Sequence, residues 1–182
     1  MRGSIFVEFL DHVEEKYGLD VVDRIIESLN GKLQTDGAYT TVGNYPHEEL
    51  LAMAVALCSV TDKDLTSVMT EFADHVIRAF RRMHPDYFLG QDDVFKFLLS
   101  VGRVIHVDVQ KLYPDAKTPQ VEGAIGGDGC LTLRYASHRP LAQLALALAE
   151  ASGRLFGQPL QIEVLERAAD DRSVTMKIRR LP

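Results

Sequence analysis

The feature that most constrains how this chain can fold is a change of hydrophobic period at Pro114. Upstream of it, apolar residues recur at every third or fourth position; downstream they alternate. The first pattern buries one stripe of a helix and the second buries one face of a strand, so no single regular structure accommodates both. The chain therefore reads as α+β, with a helical part over about residues 1–114 and a sheet-containing part over about 115–182.

In the helical part, SIFVEFLDHVEEKYG sets Ile5, Phe6, Phe9, Leu10 and Val13 at helical spacing, with Gly18 as the stop. LDVVDRIIESLNG repeats the pattern and ends at Asn30-Gly31. Residues 32–45 are polar and turn-rich, and read as a loop. A third helix is predicted from near Pro46, with Glu48 and Glu49 in its first turn, to near Thr61. A fourth runs from Asp64 to about Met83 and breaks at His84-Pro85. The last, DDVFKFLLSVGRVIHVDVQKLYP, reads as one long helix closed by Pro114.

Beyond Pro114, TPQVEGAIGGDGCLTLRYASHR reads as a hairpin turning at Gly126–Gly129. PLAQLALALAEASGRLFG is a helix stopped by Gly157, and LQIEVLERA and SVTMKIRRL are two more strands around a polar turn. The order β-β-α-β-β implies an antiparallel sheet.

Composition excludes several functions. The net charge is −6 and no lysine-arginine cluster lines one face, which argues against nucleic acid. No apolar run suggests a membrane span or signal peptide. Cys58 and Cys130 lack CxxC spacing and read as packed thiols in a reducing cytoplasm. HxxxH and HExxH spacings, a GxSxG elbow, a Walker loop and a strand-linked GxGxxG are all missing, so hydrolase and nucleotide chemistry are not written here. Asp92-Asp93 and Asp170-Asp171 stand at helix starts or turns, where capping is the expected role. His12 and His47 lie among acidic residues and read as solvated.

Two features remain. His106 sits on a mostly apolar helix face, with Gly102 one turn before it. Glycine inside a helix costs about 1 kcal/mol relative to alanine, and a flat object pressed on the backbone is one reason to accept that cost. The simpler reading of His106 is a hydrogen-bonded core histidine. The second feature is LTLRYASHRP, where Tyr135, Ser137 and Arg139 share strand parity with Leu131 and Leu133. An inward Arg139 would need an anion; alternatively it lies past the strand end and reaches solvent. Joined, the two features suggest a metal-bearing ligand with carboxylates, and heme with its propionates meets that description.

The sequence closely resembles the H-NOX family, the heme nitric oxide/oxygen binding domains related to the sensor domain of soluble guanylate cyclase. The resemblance spans nearly the whole chain and includes MRGSIFVEFLDHVEEKYGLDVVD, IHVDVQKLYPDAKTP, and YASHR as the family's YxSxR. It implies a single domain over 1–182, with heme buried between the helical and sheet-containing parts. By this resemblance His106 is the proximal iron ligand and Tyr135, Ser137 and Arg139 bind the propionates. Pro119, and Gly102 beside the helix, would contact or distort the porphyrin. Without CxxCH the cofactor is expected to be heme b. IEVLERAADDRSVTMKI lacks the Cys and His of some relatives' zinc cluster, so no zinc is expected.

The resemblance also maps the distal pocket, to Ile5, Phe9, Val76 and Leu144. Oxygen-binding members carry a tyrosine where this chain has Leu144, and none of the four can donate a hydrogen bond. Nitric oxide on ferrous iron needs no donor whereas bound oxygen gains from one. The implied function is a nitric oxide sensor that excludes oxygen, with CO a possible further ligand. Signalling would follow release of His106, and relatives of this size often regulate a histidine kinase or a diguanylate cyclase/phosphodiesterase. A monomer in the cytoplasm, with no catalytic activity of its own, is the expectation. A peroxidase would need distal acid-base groups, and only His75 comes near in sequence.

Overall fold

The structure is a computed structural model and describes residues 1–181. Among them are seven α-helices and one four-stranded antiparallel sheet: six helices come first, and the seventh lies between the second and third strands of the sheet that follows. The chain divides into two compact units, Met1–Val76 and Ile77–Pro182. The helical stretch between residue 77 and Pro114 is thus grouped with the sheet, although its sequence period is that of the helices before it.

The first unit is built on α1 (Gly3–Tyr17), α2 (Leu19–Ser28), α3 (His47–Thr61) and the beginning of α4 (Leu65–Met83). Gly18, at φ +89°, separates α1 from α2 in a conformation that side chains rarely adopt. Asp64 starts α4 by accepting from the Ser67 amide (2.8 Å) and hydroxyl (2.9 Å). The predicted apolar stripes supply the core of this unit: Phe6, Phe9, Val13, Ile25, Leu50, Met53, Leu57 and Phe72 are all fully buried. Phe9 and Phe72 meet edge to face at 5.1 Å.

Charge on α1 and α4 is less solvated than its sequence surroundings suggested. His12 is buried rather than exposed, because the acidic residues beside it in sequence point to other faces of α1 while its own ring packs near Phe72 and His75. His75 is buried too, with Nε2 2.9 Å from Glu8 and Nδ1 3.4 Å from Glu15. Glu49, in the first turn of α3 as predicted, is buried and accepts from the Gln34 amide and the Tyr39 hydroxyl.

Glu71 gathers Lys63 (2.5 Å), Lys16 (2.9 Å) and the Tyr17 hydroxyl. Burial pushes its carboxyl upward, but the hydrogen bonds from Lys63, Tyr17 and Lys16 outweigh that and hold it at about 2 against an ordinary 4.5. A depressed carboxylate adds stability that is complete above the unfolded value and lost as pH falls through the folded one. Glu71→Gln is therefore expected to lower Tm at pH 7 by more than it does at pH 2. Thermal melts across pH 7 to 2 check this, and a gap that stays constant through the acid range would contradict it.

The second unit joins the rest of α4, a short 3-10 turn (Pro85–Tyr87), α5 (Val94–Ser100), α6 (His106–Leu112), α7 (Ala142–Leu155) and strands β1 (Gln120–Ile125), β2 (Leu131–Ala136), β3 (Leu160–Arg167) and β4 (Ser173–Arg180). Asp93 caps α5 by accepting from the Phe95 and Lys96 amides, as expected of a carboxylate at a helix start. The sheet order is β1-β2-β4-β3. Its register places Leu131 opposite Ile178, Leu133 opposite Met176 and Tyr135 opposite Val174, and all six are buried. On the other face Glu122 pairs with Arg134 and Glu163 with Lys177, a solvated ladder of opposite charges. α7 packs against β2 and β3, and Gly153 lets it approach, since a Cβ there would lie 2.6 Å from Leu160 Cγ.

The long helix predicted up to Pro114 is interrupted. Residues Val101–Ile105 form a π-helical turn between α5 and α6, closed by the His106 amide donating to the Val101 carbonyl five residues back. The wide turn shifts the faces of α6 by one residue relative to α5, so neighbours counted at α-helical spacing across it no longer hold. No helix among the described residues is long and apolar enough to cross a membrane.

Candidate functional site

His106 is the first residue of α6 and is half-buried. Its Nδ1 lies 2.9 Å from the Pro119 carbonyl. A carbonyl only accepts, so Nδ1 carries the proton and Nε2 keeps its lone pair. Burial lowers the imidazole pKa, and the Pro119 bond only partly offsets this. The ring is thus held neutral, oriented and with one nitrogen available, the arrangement found where a histidine ligates a metal and its other nitrogen is fixed by a carbonyl.

Gly102 lies in the π-turn directly against β1. A Cβ added there would fall 1.9 Å from the Val121 carbonyl oxygen and 2.9 Å from its carbon. The close object that explains this glycine is therefore a strand backbone, a packing reason that requires no ligand. The contact brings the segment bearing His106 beside the strand that follows Pro119, which places the carbonyl of Pro119 within reach of the imidazole.

Tyr135, Ser137 and Arg139 come together at the end of β2. The leucine parity predicted for the strand holds as far as Ala136, with Leu131, Leu133 and Tyr135 buried and Thr132 and Arg134 exposed. The regular strand ends there, although the Ser137 amide still donates to Arg172 O in the β2–β4 register, and the Leu141 amide donating to Arg139 O marks the turn that follows. Ser137 Oγ accepts from the Arg139 amide at 3.1 Å and also bonds the Tyr135 hydroxyl. Burial raises the Tyr135 pKa, which keeps the phenol a neutral donor, while Ser137 and the Arg139 charge pull the other way. Arg139 lies beyond the strand, the outer of the two positions open to it, and its guanidinium donates to the Lys117 carbonyl at 3.1 Å. Two hydroxyls and a guanidinium, from the end of β2 and the turn after it, form a donor set suited to a carboxylate.

The other predicted positions divide between the two units. In the first unit Phe9 is fully buried, while Ile5 and Val76 are half-buried. In the second, Leu144 is half-buried on α7, and its polar neighbour Gln143 is engaged with Arg167 at 3.0 Å. Sequence reasoning missed the segment 117–119 as a structural partner. Lys117 and Pro119 act through backbone carbonyls, which any residue supplies, so no side-chain signal could have marked them.

The chain matches the haem-NO-binding family over residues 2–164 and belongs to it. Among solved structures it is similar to the Fe(II) unliganded H-NOX protein from K. algicida, at 31% identity and a TM-score of 0.88, covering 100% of this chain and 97% of that one. It is also similar in fold to an H-NOX protein from S. oneidensis in the Fe(II)NO ligation state, at 24% identity and TM-score 0.87 with 100% of both chains covered. A T. Tengcongensis H-NOX variant aligns at 22% identity and TM-score 0.87, over 100% of this chain and 98% of that one. No curated protein matches. Members of this family are heme-based gas sensor domains.

Proposed function

We propose that this protein is a heme b nitric oxide sensor that excludes oxygen and passes its signal to a partner protein by release of His106. The observation that carries the reading is the Nδ1–Pro119 hydrogen bond, which leaves His106 Nε2 as a neutral, oriented iron ligand. The heme, when bound, supplies the ferrous iron at which the gas is taken up. His106 would hold the iron, Tyr135, Ser137 and Arg139 would hold the propionates, and Pro119 would press on the porphyrin. Ile5, Phe9, Val76 and Leu144 offer only apolar surface to the gas, so oxygen gains no hydrogen bond while nitric oxide loses nothing. Release of His106 would free α6 to shift, a change that a histidine kinase or a diguanylate cyclase/phosphodiesterase in the cytoplasm would read. CO would be a further ligand of the same site.

An absorption spectrum of the reduced protein, recorded without oxygen, then with nitric oxide, then in air, tests this. A spectrum that shifts with nitric oxide and shows no oxygen complex in air is the expected result. A stable oxygen complex would move the function to oxygen, and a protein that takes up no heme would end the heme reading. Leu144→Tyr is expected to strengthen oxygen binding about fivefold or more, read as the oxygen complex formed in air, since one hydrogen bond of about 1 kcal/mol or more is added where there was none. An unchanged variant would place Leu144 outside the pocket.

A further inference from the structure

Three consecutive residues of the segment before β1 are each tied to a different part of the site. The Lys117 carbonyl accepts from Arg139 Nη1 at 3.1 Å, the Thr118 hydroxyl from Gln110 Nε2 at 2.8 Å, and the Pro119 carbonyl from His106 Nδ1 at 2.9 Å. Gln110 stands four residues after His106 on α6, so both side chains project from one face of that helix toward the same strand of chain. A single hydrogen bond at His106 would leave the imidazole free to swing about it. A second one, one helical turn away and to the neighbouring residue, removes that freedom. The far side of α6 is held separately: Asp108 accepts from the Tyr87 hydroxyl at 3.3 Å.

We propose that Gln110 and Thr118 are positioning residues that latch α6 to residues 117–119 and so fix the tilt of the His106 imidazole. Through Lys117, the same latch couples any movement of α6 to Arg139 at the opposite end of the donor set. With the latch closed, His106 cannot leave its place without pulling residues 117–119 along, which resists release and transmits it when it comes. With the latch open, His106 swings on the Pro119 carbonyl alone. This rests on the reading of His106 as the iron ligand.

Thr118→Val keeps the shape of the side chain and removes the acceptor; Gln110→Leu removes the donor; Thr118→Ser keeps the bond. In the heme-loaded ferrous protein, resonance Raman of the iron–histidine stretch is expected to shift in T118V and Q110L and to stay in place in T118S. With nitric oxide, the share of protein in which His106 has detached is expected to rise about 2–5-fold in the first two. Hydrogen exchange at the Ala116 amide, bonded to Tyr113 O at 2.8 Å in the latched segment, is expected to quicken in the heme-free T118V protein as well. Unaltered stretch and exchange in T118V would overturn the latch. A wild-type protein that takes up no heme would overturn the functional reading and this positioning role with it, so the two failures are distinguishable.

Discussion

His106→Gly is expected to abolish stable heme retention, with free imidazole restoring it in part. In the proposed site the residue would supply the side-chain bond to iron from α6, and its loss would remove that ligand. Losing only an outer partner of a metal ligand typically lowers affinity about 10–100-fold, so removal of the ligand itself is expected to cost at least that much. The cavity left by the ring accepts imidazole, which can bond the Pro119 carbonyl through one nitrogen and present the other as His106 does. Heme content after purification, measured by absorbance, and its recovery on adding imidazole check the prediction. A variant that retains heme with an unchanged iron spectrum would show that His106 is a core histidine and no ligand. The glycine itself costs the helix about 1 kcal/mol, too little to unfold a domain and thereby mimic the result.

Gly102→Ala is expected to destabilise the protein by about 1–3 kcal/mol, against the usual direction for this substitution. In an ordinary helix alanine is favoured over glycine by about 1 kcal/mol. Here the added carbon would lie 1.9 Å from the Val121 carbonyl oxygen, far inside contact distance, and the obstacle is backbone rather than a flexible side-chain tip. Either the π-turn or β1 must retreat. Both moves separate His106 from the Pro119 carbonyl, because one partner sits just after the turn and the other just before the strand. Loss of stability in denaturant melts should therefore come with a shift of the iron–histidine stretch in the heme-loaded protein. A stabilised G102A variant would mean that the close approach is not kept in solution.

The alternation in LTLRYA was readable because each side chain's face follows from its place in a strand, and Leu131, Leu133 and Tyr135 are buried as that parity required. The same parity extended to Arg139 goes beyond what the strand delivers: Ser137 still bonds Arg172 in the β2–β4 register, but the chain then turns, with the Leu141 amide donating to Arg139 O. His12 was misread because acidic neighbours in sequence say nothing about the face of α1 on which its ring lies.

Hydrophobic period and residue chemistry are local properties, and they sufficed for the α+β order, the hairpin at Gly126–Gly129, the helix start at Asp64, the cap at Asp93, and the choice of His106, Tyr135, Ser137 and Arg139 as residues to watch. What those residues touch depended on long-range approach. The Val121 backbone against Gly102, and the carbonyls of Lys117 and Pro119 facing Arg139 and His106, are contacts between segments distant along the chain. Most are made by backbone groups that every residue carries alike. A carbonyl has no residue identity to be read in advance, so its part in orienting His106 became visible only once the folded chain had brought β1 beside α6.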